Sequence, residues 1–376
     1  MKIFTVVHDF RGGGAEKVAV LLSNEWRGQG FDSEIICVSE AGPFRERVAS
    51  DVAVRCLNKS LAYAAIPSLA SLLAANREAI VISHLTHMNV VCLLAASLAG
   101  HRRVHVVEHN DFSKSIKDTK SMITRFGIHL APWLYRSAGR VVCVSDSVLE
   151  SLPRSRFSKL ANSCVVSNPV DPSDVADIPT EVELHPFFSG QAPVLVGCGR
   201  LTEQKNYDLM LHAFRLVLDR MPVKLLVLGE GAHRERLDAL ARSLDVAEDV
   251  EFLGFRKDAA AFFSKARLFV STSLWEGLPM TMIEALFAGA NLVVTNSCSD
   301  ASVLVNCGRF GACVDSFDAL GFADAVVAEL GKPVASLSDK REFLARFSLP
   351  RIASQYISVF DSAHGAPVNE GSVGFL

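Results

Sequence analysis

Hydrophobic positions along this chain form two kinds of segment. Short runs rich in Val and Ile alternate with longer segments in which apolar residues recur at helical spacing. Continuous apolar runs are typical of parallel strands buried on both faces, and the intervening segments are typical of crossover helices. The runs cover residues 2–7, 34–38, 79–83, 104–108, 141–144 and 164–166 in the first half, and 194–198, 223–228, 250–253, 268–272, 291–295 and 311–314 in the second. This pattern predicts an α/β protein with two doubly wound parallel sheets of six strands each.

A polar stretch that contains several prolines separates the two sets of runs. It begins with Asn-Pro-Val-Asp-Pro at residues 168–172 and continues past Pro179 and Pro186. This composition is expected of an interdomain connection. We therefore predict an N-terminal domain of residues 1–170 and a C-terminal domain of residues 171–349. A last helical pattern covers about residues 350–365, and the aperiodic residues 366–376 are predicted to form a mobile tail.

Composition narrows the class of protein. The chain has 376 residues, of which 49% are hydrophobic and 21% charged, and its net charge of −3 does not favour a nucleic-acid binder. Its nine cysteines are scattered without a Cys-x-x-Cys pair, which is typical of buried thiols in a reducing compartment. No run approaches the ~18 apolar residues of a membrane span, and the N-terminus turns polar at His8. We expect a cytoplasmic protein.

A glycine-rich turn is the first candidate site. Gly13 and Gly14 follow the first predicted strand and precede a helix that is predicted to begin near Ala15. Glycines let the backbone approach an anion, and a helix N-terminus offers free N–H groups, although such a turn can also be purely geometric. The nicotinamide fingerprint Gly-x-Gly-x-x-Gly would need a glycine where Lys17 stands, which disfavours a dehydrogenase.

Two cations form the second candidate site. Arg200 and Lys205 lie in the loop after the first strand of the second domain, just before a predicted helix. Two cations and a helix dipole together suit a diphosphate, but two solvated surface cations fit the same pattern.

Two carboxylates form the third candidate site. Glu276 and Glu284 lie on either side of a predicted helix start, at which Pro279 suits the first helical position. The amides of Met280 and Thr281 should then be open hydrogen-bond donors. Carboxylates accept hydrogen bonds from the vicinal hydroxyls of a sugar or a ribose.

The motifs in combination resemble a known family. A Gly-Gly-Ala-Glu turn at residues 13–16, Gly-Arg-Leu-x-x-x-Lys-Asn at 199–206 and the Glu-Gly-Leu-Pro context of 276–284 occur in the order found in retaining GT-B glycosyltransferases of the large group 1 family. The resemblance implies two Rossmann-like domains facing a central cleft, with the helix at about 350–365 crossing back to the first domain. It also implies transfer of a sugar from a nucleotide-diphosphate donor, with a UDP-sugar favoured, to a glycan acceptor of the polyprenyl-diphosphate-linked type in cell-surface polysaccharide synthesis.

The same resemblance implies roles for individual residues. Glu276, His109, Arg200 and Lys205 would act at the reacting groups. The donor would also contact Gly13, Gly14, Phe255, Met280, Thr281 and Glu284, with Phe255 against the base and Glu284 on the ribose. Because no Asp-x-Asp motif occurs, neither a metal nor another cofactor is expected.

Two alternatives stay open. A nucleotide-sugar epimerase of similar fold or a non-catalytic sugar-nucleotide binder would share these motifs.

A segment at residues 113–140 interleaves basic and apolar residues, which fits either peripheral contact with an anionic membrane or a packed helix pair with a solvated face. Its basic residues are Lys114, Lys117, Lys120, Arg125, Arg136 and Arg140.

Overall fold

The computed structural model describes residues 1–11, 13–112, 114, 122–152, 161–171 and 185–362, and of residues 122–126 and 362 only the backbone. The chain divides into two compact units. Unit 1 comprises Met1–Pro169 together with the segment from Phe347 onwards, and unit 2 comprises Val170–Arg346. Much of the predicted basic segment, including Lys117 and Lys120 and the side chain of Arg125, lies outside the described residues, as does Gly12.

Unit 1 is built on a parallel sheet of seven strands in the order β3-β2-β1-β4-β5-β6-β7. The strands are β1 Lys2–Val7, β2 Asp32–Cys37, β3 Ala53–Cys56, β4 Ile80–His84, β5 Val104–Glu108, β6 Arg140–Cys143 and β7 Ser163–Val165. Its helices are α1 Gly14–Gly28, α2 Ile66–Ala75, α3 Thr86–Ala99, α4 Met122–Leu134, α5 Asp146–Ser151 and, at the end of the chain, α13 Leu349–Ser362.

The sheet of unit 1 has seven strands, one more than the six predicted for the first half of the chain. The missing strand is β3 at the edge of the sheet, where exposed and half-buried residues alternate instead of forming an apolar run. An edge strand shares fewer faces with the core, so its sequence does not need the continuous hydrophobic pattern of a central strand. Arg55 of β3 instead pairs through Nε with Glu34 Oε1 of β2 at 2.7 Å.

Unit 2 is built on a parallel sheet of six strands in the order β10-β9-β8-β11-β12-β13, and all six were predicted from the apolar runs. The strands are β8 Val194–Cys198, β9 Lys224–Leu228, β10 Val250–Gly254, β11 Leu268–Ser271, β12 Asn291–Thr295 and β13 Gly311–Val314. The helices are α6 Tyr207–Leu218, α7 Arg234–Ser243, α8 Ala259–Lys265, α9 Met280–Ala288, α10 Ser299–Leu304, α11 Ala319–Leu330 and α12 Leu337–Leu344.

Each sheet has one point at which the strand order reverses. It lies between β1 and β4 in unit 1 and between β8 and β11 in unit 2. In open parallel sheets, ligands bind beyond the carboxyl ends of the strands at such a point. The loops that follow β1, β4 and β5, and those that follow β8 and β11, are therefore the places to look for a site.

The C-terminal helix α13 packs within unit 1. Trp26 on α1 donates its indole N–H to the carbonyl of Ala353 at 3.2 Å, and the rings of Trp26 and Tyr356 meet edge to face at 6.2 Å. Phe360 lies 4.2 Å from the ring of His105 on β5. A helix that follows unit 2 in sequence thus completes the core of unit 1. No helix among the described residues combines the length and apolar character needed to cross a membrane.

Candidate functional site

The loop after β8 carries Arg200 and Lys205 and has a backbone that requires glycine. Gly199 has a φ of +154°, and a Cβ there would lie 2.9 Å from Cε of Lys205. Gly229, after β9, has a φ of +139°, and a Cβ on it would lie 2.0 Å from the carbonyl oxygen of Gly199. Side chains at these two positions would collide with the loop, so both glycines keep it pressed against the end of the sheet.

Lys205 is paired with Glu276. Its Nζ donates to Oε1 of Glu276 at 2.5 Å, and the two side chains are only 16% and 9% exposed. The sequence indicated one cation for a diphosphate and one carboxylate for a sugar, but not a direct ion pair between two groups 71 positions apart. Without a ligand, each charge therefore compensates the other.

Backbone contacts hold the two loops of this pair together. The amide of Leu274 donates to the carbonyl of Gln204 at 2.8 Å, and the Gln204 side chain donates to the carbonyl of Trp275 at 2.9 Å. The hydroxyl of Thr272 donates to the carbonyl of Asn206 at 2.9 Å. The loop after β8 and the loop after β11 thus form one connected structure across the switch point of the sheet.

Arg200 differs from Lys205 in its surroundings. Its side chain is exposed, and it makes no hydrogen bond or ion pair with any residue that the structure describes. One cation is thus held in a buried pair and the other extends into solvent.

Helix α9 begins beside Glu276. Pro279 occupies the N-cap position rather than the predicted first helical position, because its ψ of 88° is not helical, and the helix begins at Met280. The carbonyl of Pro279 accepts from the amides of Met282 and Ile283 at 3.0 and 3.3 Å. The amides of Met280 and Thr281 precede the first intrahelical donors, so they remain open donors at the positive end of the helix dipole. Glu284 lies one turn further on and is half-buried.

Phe255 is the apolar side chain at the end of β10. It is 52% exposed, which is unusual for a residue that directly follows a strand. The neighbouring Arg256 is engaged by both oxygens of Asp258 at 2.8 and 2.7 Å. The aromatic ring thus stays uncovered while the adjacent charge is neutralised.

The glycine turn of unit 1 opens helix α1. Gly13 is the N-cap with an extended backbone, and its carbonyl accepts from the amide of Lys17 at 3.2 Å. Asp9, at the start of this loop, is buried and accepts from the amide and the side chain of Arg11 at 2.9 and 2.8 Å. The turn therefore provides a helix N-terminus, as predicted, one residue earlier than the sequence suggested.

His109 is at the carboxyl edge of unit 1 and is not alone there. Nδ1 of His84, the last residue of β4, lies 2.9 Å from Nε2 of His109, the first residue after β5. Burial lowers the pKa of His84 to about 3 and that of His109 well below its usual value. A second pair, His8 and His87, meets edge to face at 5.5 Å, and burial lowers the pKa of His87 to about 4. These four imidazoles are neutral at physiological pH.

A buried carboxyl network lies under this histidine pair. Glu108 accepts from the hydroxyl of Thr86 at 2.8 Å, from the amide of Asn89 at 3.0 Å and from the hydroxyl of Tyr135. Burial raises the pKa of Glu108 to about 7 even though these donors oppose the shift. Neither Glu108 nor His84 was predicted from the sequence. His84 ends β4, which borders the switch point, and Glu108 ends the neighbouring strand β5, so a polar residue at the end of an apolar run was the signal that could have found them.

Two family descriptions match the chain. Residues 12–174 match "Glycosyltransferase Family 4", and residues 192–331 match "Glycosyl transferases group 1". The chain belongs to the group 1 glycosyltransferases. The first match covers β2 to β7 of unit 1 and the second covers all six strands of unit 2, and the candidate residues from Gly13 to Glu284 lie within these matches.

Relatives of this glycosyltransferase include proteins from archaea and bacteria. It is 30% identical over 161 residues to an uncharacterised glycosyltransferase of Methanocaldococcus jannaschii, which is 42% of this chain and 39% of that protein. It is 28% identical over 236 residues, or 61% of each protein, to N-acetylgalactosamine-N,N'-diacetylbacillosaminyl-diphospho-undecaprenol 4-alpha-N-acetylgalactosaminyltransferase of Campylobacter jejuni. The matches thus span 39% and 61% of the lengths of these two relatives.

A solved structure shares the fold. The crystal structure of Anabaena Alr3699/HepE in complex with UDP-glucose matches 96% of this chain and 100% of its own with a TM-score of 0.81 at 17% identity. The fold of this glycosyltransferase is therefore GT-B, as the sequence predicted.

Proposed function

We propose that this protein is a retaining glycosyltransferase that moves a sugar from a UDP-sugar to a glycan acceptor carried on a lipid diphosphate. The observation that carries the proposal is the Lys205–Glu276 pair. Glu276 lies next to the N-terminus of α9, and Lys205 lies in the same loop as Arg200. This arrangement holds a cation, a carboxylate and open backbone donors at one edge of one sheet.

The negative charge of the leaving group explains why the proposed site contains cations. As the bond between the anomeric carbon and the phosphate oxygen breaks, negative charge grows on UDP, and Arg200, Lys205 and the open amides of Met280 and Thr281 stabilise it. The ammonium of Lys205 turns from Glu276 to the diphosphate, and the carboxylate of Glu276 is then available to the hydroxyls of the sugar. The acceptor hydroxyl attacks the anomeric carbon from the same face and passes its proton to the departing phosphate oxygen.

The rest of the donor meets side chains that bind without reacting. We assign the ribose hydroxyls to Glu284 and the base to the exposed ring of Phe255, whose open face suits stacking. We also assign Gly13 and Gly14, at the N-terminus of α1, to binding of the phosphates, and His109 to binding of the sugar.

The substrate class is supported by the relatives. The solved structure of HepE contains UDP-glucose, and the Campylobacter relative is named for a diphospho-undecaprenol acceptor. We propose that no divalent ion is required, because the cations and helix termini of this chain already supply positive charge at the diphosphate. The described residues contain no group of three His, Cys, Asp or Glu side chains placed to hold a metal.

A lipid-linked acceptor requires the enzyme to work at a membrane surface, and we propose peripheral attachment to the cytoplasmic face through unit 1. Trp133 on α4 is 69% exposed, and Leu130 is exposed one turn before it. Trp133→Glu should reduce sedimentation with vesicles of phosphatidylglycerol several-fold, because an interfacial tryptophan is replaced by a repelled charge. Equal sedimentation of this variant and the wild type would remove the membrane proposal and leave the transfer proposal standing.

The test of the function is a ligand panel followed by a turnover assay. The protein is heated with UDP, GDP, UDP-glucose, UDP-galactose, UDP-N-acetylglucosamine and UDP-N-acetylgalactosamine, each with and without excess EDTA. At equal concentration, a ligand that binds more tightly raises Tm more. We expect stabilisation by UDP and one UDP-sugar, and no loss of it in EDTA.

The turnover assay distinguishes the competing functions. Transfer of the sugar to a polyprenyl-diphosphate glycan, with the anomeric configuration kept, supports the proposal. Interconversion of the donor without an acceptor would indicate an epimerase, and binding without any turnover would indicate a sugar-nucleotide binder.

A further inference from the structure

Two buried imidazoles share one hydrogen bond at the carboxyl edge of unit 1. The rings of His84 and His109 are nearly parallel, with centroids 5.2 Å apart and an interplanar angle of 30°, and Nδ1 of His84 lies 2.9 Å from Nε2 of His109. A contact of this kind needs one N–H and one lone pair, so the tautomer of one ring determines the tautomer of the other. Because both rings are buried and neutral, the pair has only two arrangements.

The backbone and the carboxyl network fix both rings in place. Leu85, which follows His84, has a φ of +74°, a strained conformation for a residue with a Cβ. The carbonyl of Leu85 accepts from the amide of Asn89 at 2.9 Å, and the Asn89 side chain donates to Glu108 and to the carbonyl of Val107, both at 3.0 Å. Glu108 thus ties the turn after β4 to the end of β5, and that tie brings His84 beside His109.

The other nitrogen of each ring has unused hydrogen-bonding capacity. Nε2 of His84 and Nδ1 of His109 are buried and have no hydrogen-bond partner within the described part of the chain. A buried polar atom without a partner is costly, because it loses its hydrogen bonds to water and gains none in the protein. A hydroxyl that reached Nδ1 of His109 would complete the hydrogen bonding of that ring.

We propose that His84 is a positioning residue that fixes the tautomer of His109, so that Nδ1 of His109 accepts a hydrogen bond from a hydroxyl of the donor sugar. His109 donates from Nε2–H to the lone pair on Nδ1 of His84, because this arrangement places both rings in the tautomer protonated at Nε2, which is the more stable one for neutral histidine in water. In this arrangement His109 has a free lone pair on Nδ1, and His84 has a free N–H at Nε2. This role rests on the proposed function, since it requires the sugar to meet His109.

The decisive variants separate ring volume from hydrogen bonding. His84→Phe keeps an aromatic ring but offers no acceptor to His109, so only the small intrinsic preference of imidazole is left to select the tautomer of His109, and the second tautomer becomes populated. His84→Asn places a side-chain oxygen near the former Nδ1 and keeps an acceptor. His101→Phe is the matched control, because His101 is also a buried histidine of unit 1 and bonds to the carbonyl of Asn76 at 3.3 Å.

The main measurement is the ring ¹⁵N chemical shifts of His109, assigned with a His109→Gln sample, in the protein without ligand. We expect wild type, His84→Asn and His101→Phe to show an unprotonated Nδ1 and a protonated Nε2, and His84→Phe to show averaged shifts. Wild-type shifts in His84→Phe, or averaged shifts in the wild type itself, would overturn the proposal. If His84→Phe does not fold, the wild-type and His84→Asn spectra still decide it.

The second measurement is hydrolysis of the UDP-sugar selected by the ligand panel. We expect kcat of His84→Phe to fall about threefold to tenfold, as for the loss of one hydrogen bond, with KM unchanged and with recovery in His84→Asn. Changed shifts with unchanged kcat would overturn the link to the sugar. If the wild type transfers no sugar to a polyprenyl-diphosphate glycan in the turnover assay, the proposed function fails, while the spectra still report separately on the histidine pair.

Discussion

The carboxyl edges of the two sheets differ in charge, although each lies at a point where the strand order reverses. In unit 2 the edge has formal charges: the ion pair of Lys205 and Glu276 and the exposed Arg200. In unit 1 the loop after β1 carries the ion pair of Asp9 and Arg11, but the ends of β4 and β5 have titratable groups that burial keeps neutral, among them His84 and His109. A fixed positive charge suits an anionic diphosphate, whereas neutral nitrogens suit hydroxyl groups, which have no charge to repel.

The two sets of groups also differ in how they avoid the free-energy cost of burying a charge. Lys205 and Glu276 avoid a large desolvation penalty by pairing with each other, so a ligand that takes Lys205 must compensate for the lost pair. The histidines avoid the same penalty by losing their protons. Lys205 can thus exchange Glu276 for a ligand. The network of Glu108, in contrast, holds His84 and His109 in a single arrangement.

The largest effect should come from removing the negative charge at the charged edge. Glu276→Gln keeps the side-chain size, but it cannot stabilise the positive charge that develops on the sugar, so we expect kcat to fall about 10²-fold. Because Lys205 would lose its internal partner, affinity for UDP alone should rise rather than fall. Steady-state transfer kinetics and calorimetry with UDP measure the two effects.

Glu284→Gln is the matched variant for this experiment, because Glu284 is a half-buried glutamate one turn into α9, the helix that begins beside Glu276. Its assigned partner is the ribose, which does not change during the reaction, so it should raise KM with little change in kcat. A near wild-type kcat in Glu276→Gln would show that Glu276 does not act on the sugar.

The next effect concerns the two cations. Lys205→Ala leaves Glu276 buried without its cation and next to the incoming phosphates, so UDP should bind about 30-fold more weakly. Arg200→Ala removes an exposed cation and should cost about tenfold or less. Isothermal titration calorimetry with UDP gives both values.

Lys224→Ala is the control for these variants, because Lys224 pairs with Asp249 at 2.6 Å at the amino end of β9, the opposite edge of the same sheet. It should bind UDP as the wild type does. Equal losses in all three variants would mean that net charge, and not the edge of the sheet, determines affinity.

The remaining effect, on stability and not on activity, tests whether the end of β5 stays neutral. The pKa of Glu108 is raised by burial to about 7, above its unfolded value near 4.5, so the folded state holds this proton more strongly than the unfolded state does. This contribution to stability is complete below about pH 4.5 and is lost as the pH rises towards 7. Glu108→Gln has no proton to lose, so its stability relative to the wild type should improve by about 1–3 kcal/mol between pH 5 and pH 8.

Urea unfolding of both proteins across this pH range is the measurement. The histidines titrate in the opposite sense, because their lowered pKa values add stability as the pH rises through 6.5, and they are common to both proteins and cancel in the difference. A pH-independent difference would show that Glu108 is ionised throughout the range and that the network tolerates a buried charge.

The sequence by itself determined the elements and the kinds of groups at the site. All twelve predicted runs became strands, which are twelve of the thirteen strands among the described residues. Their ends differ from the prediction by at most two residues, because a buried parallel strand must be apolar along its whole length. The positions of Arg200, Lys205, Glu276 and His109 after strands followed from the same pattern. Only β3 was missed, because an edge strand does not need that pattern.

Only the tertiary structure decided which groups meet. Lys205 contacts Glu276 because β8 and β11 are neighbours in the sheet, and His84 contacts His109 because β4 and β5 are neighbours. Strand order is set by the packing of the whole sheet and its crossover helices, whereas hydrophobic periodicity records only how each segment is buried. The pKa values of Glu108 and the histidines depend on the same long-range packing, since burial and hydrogen-bond partners come from segments distant in sequence.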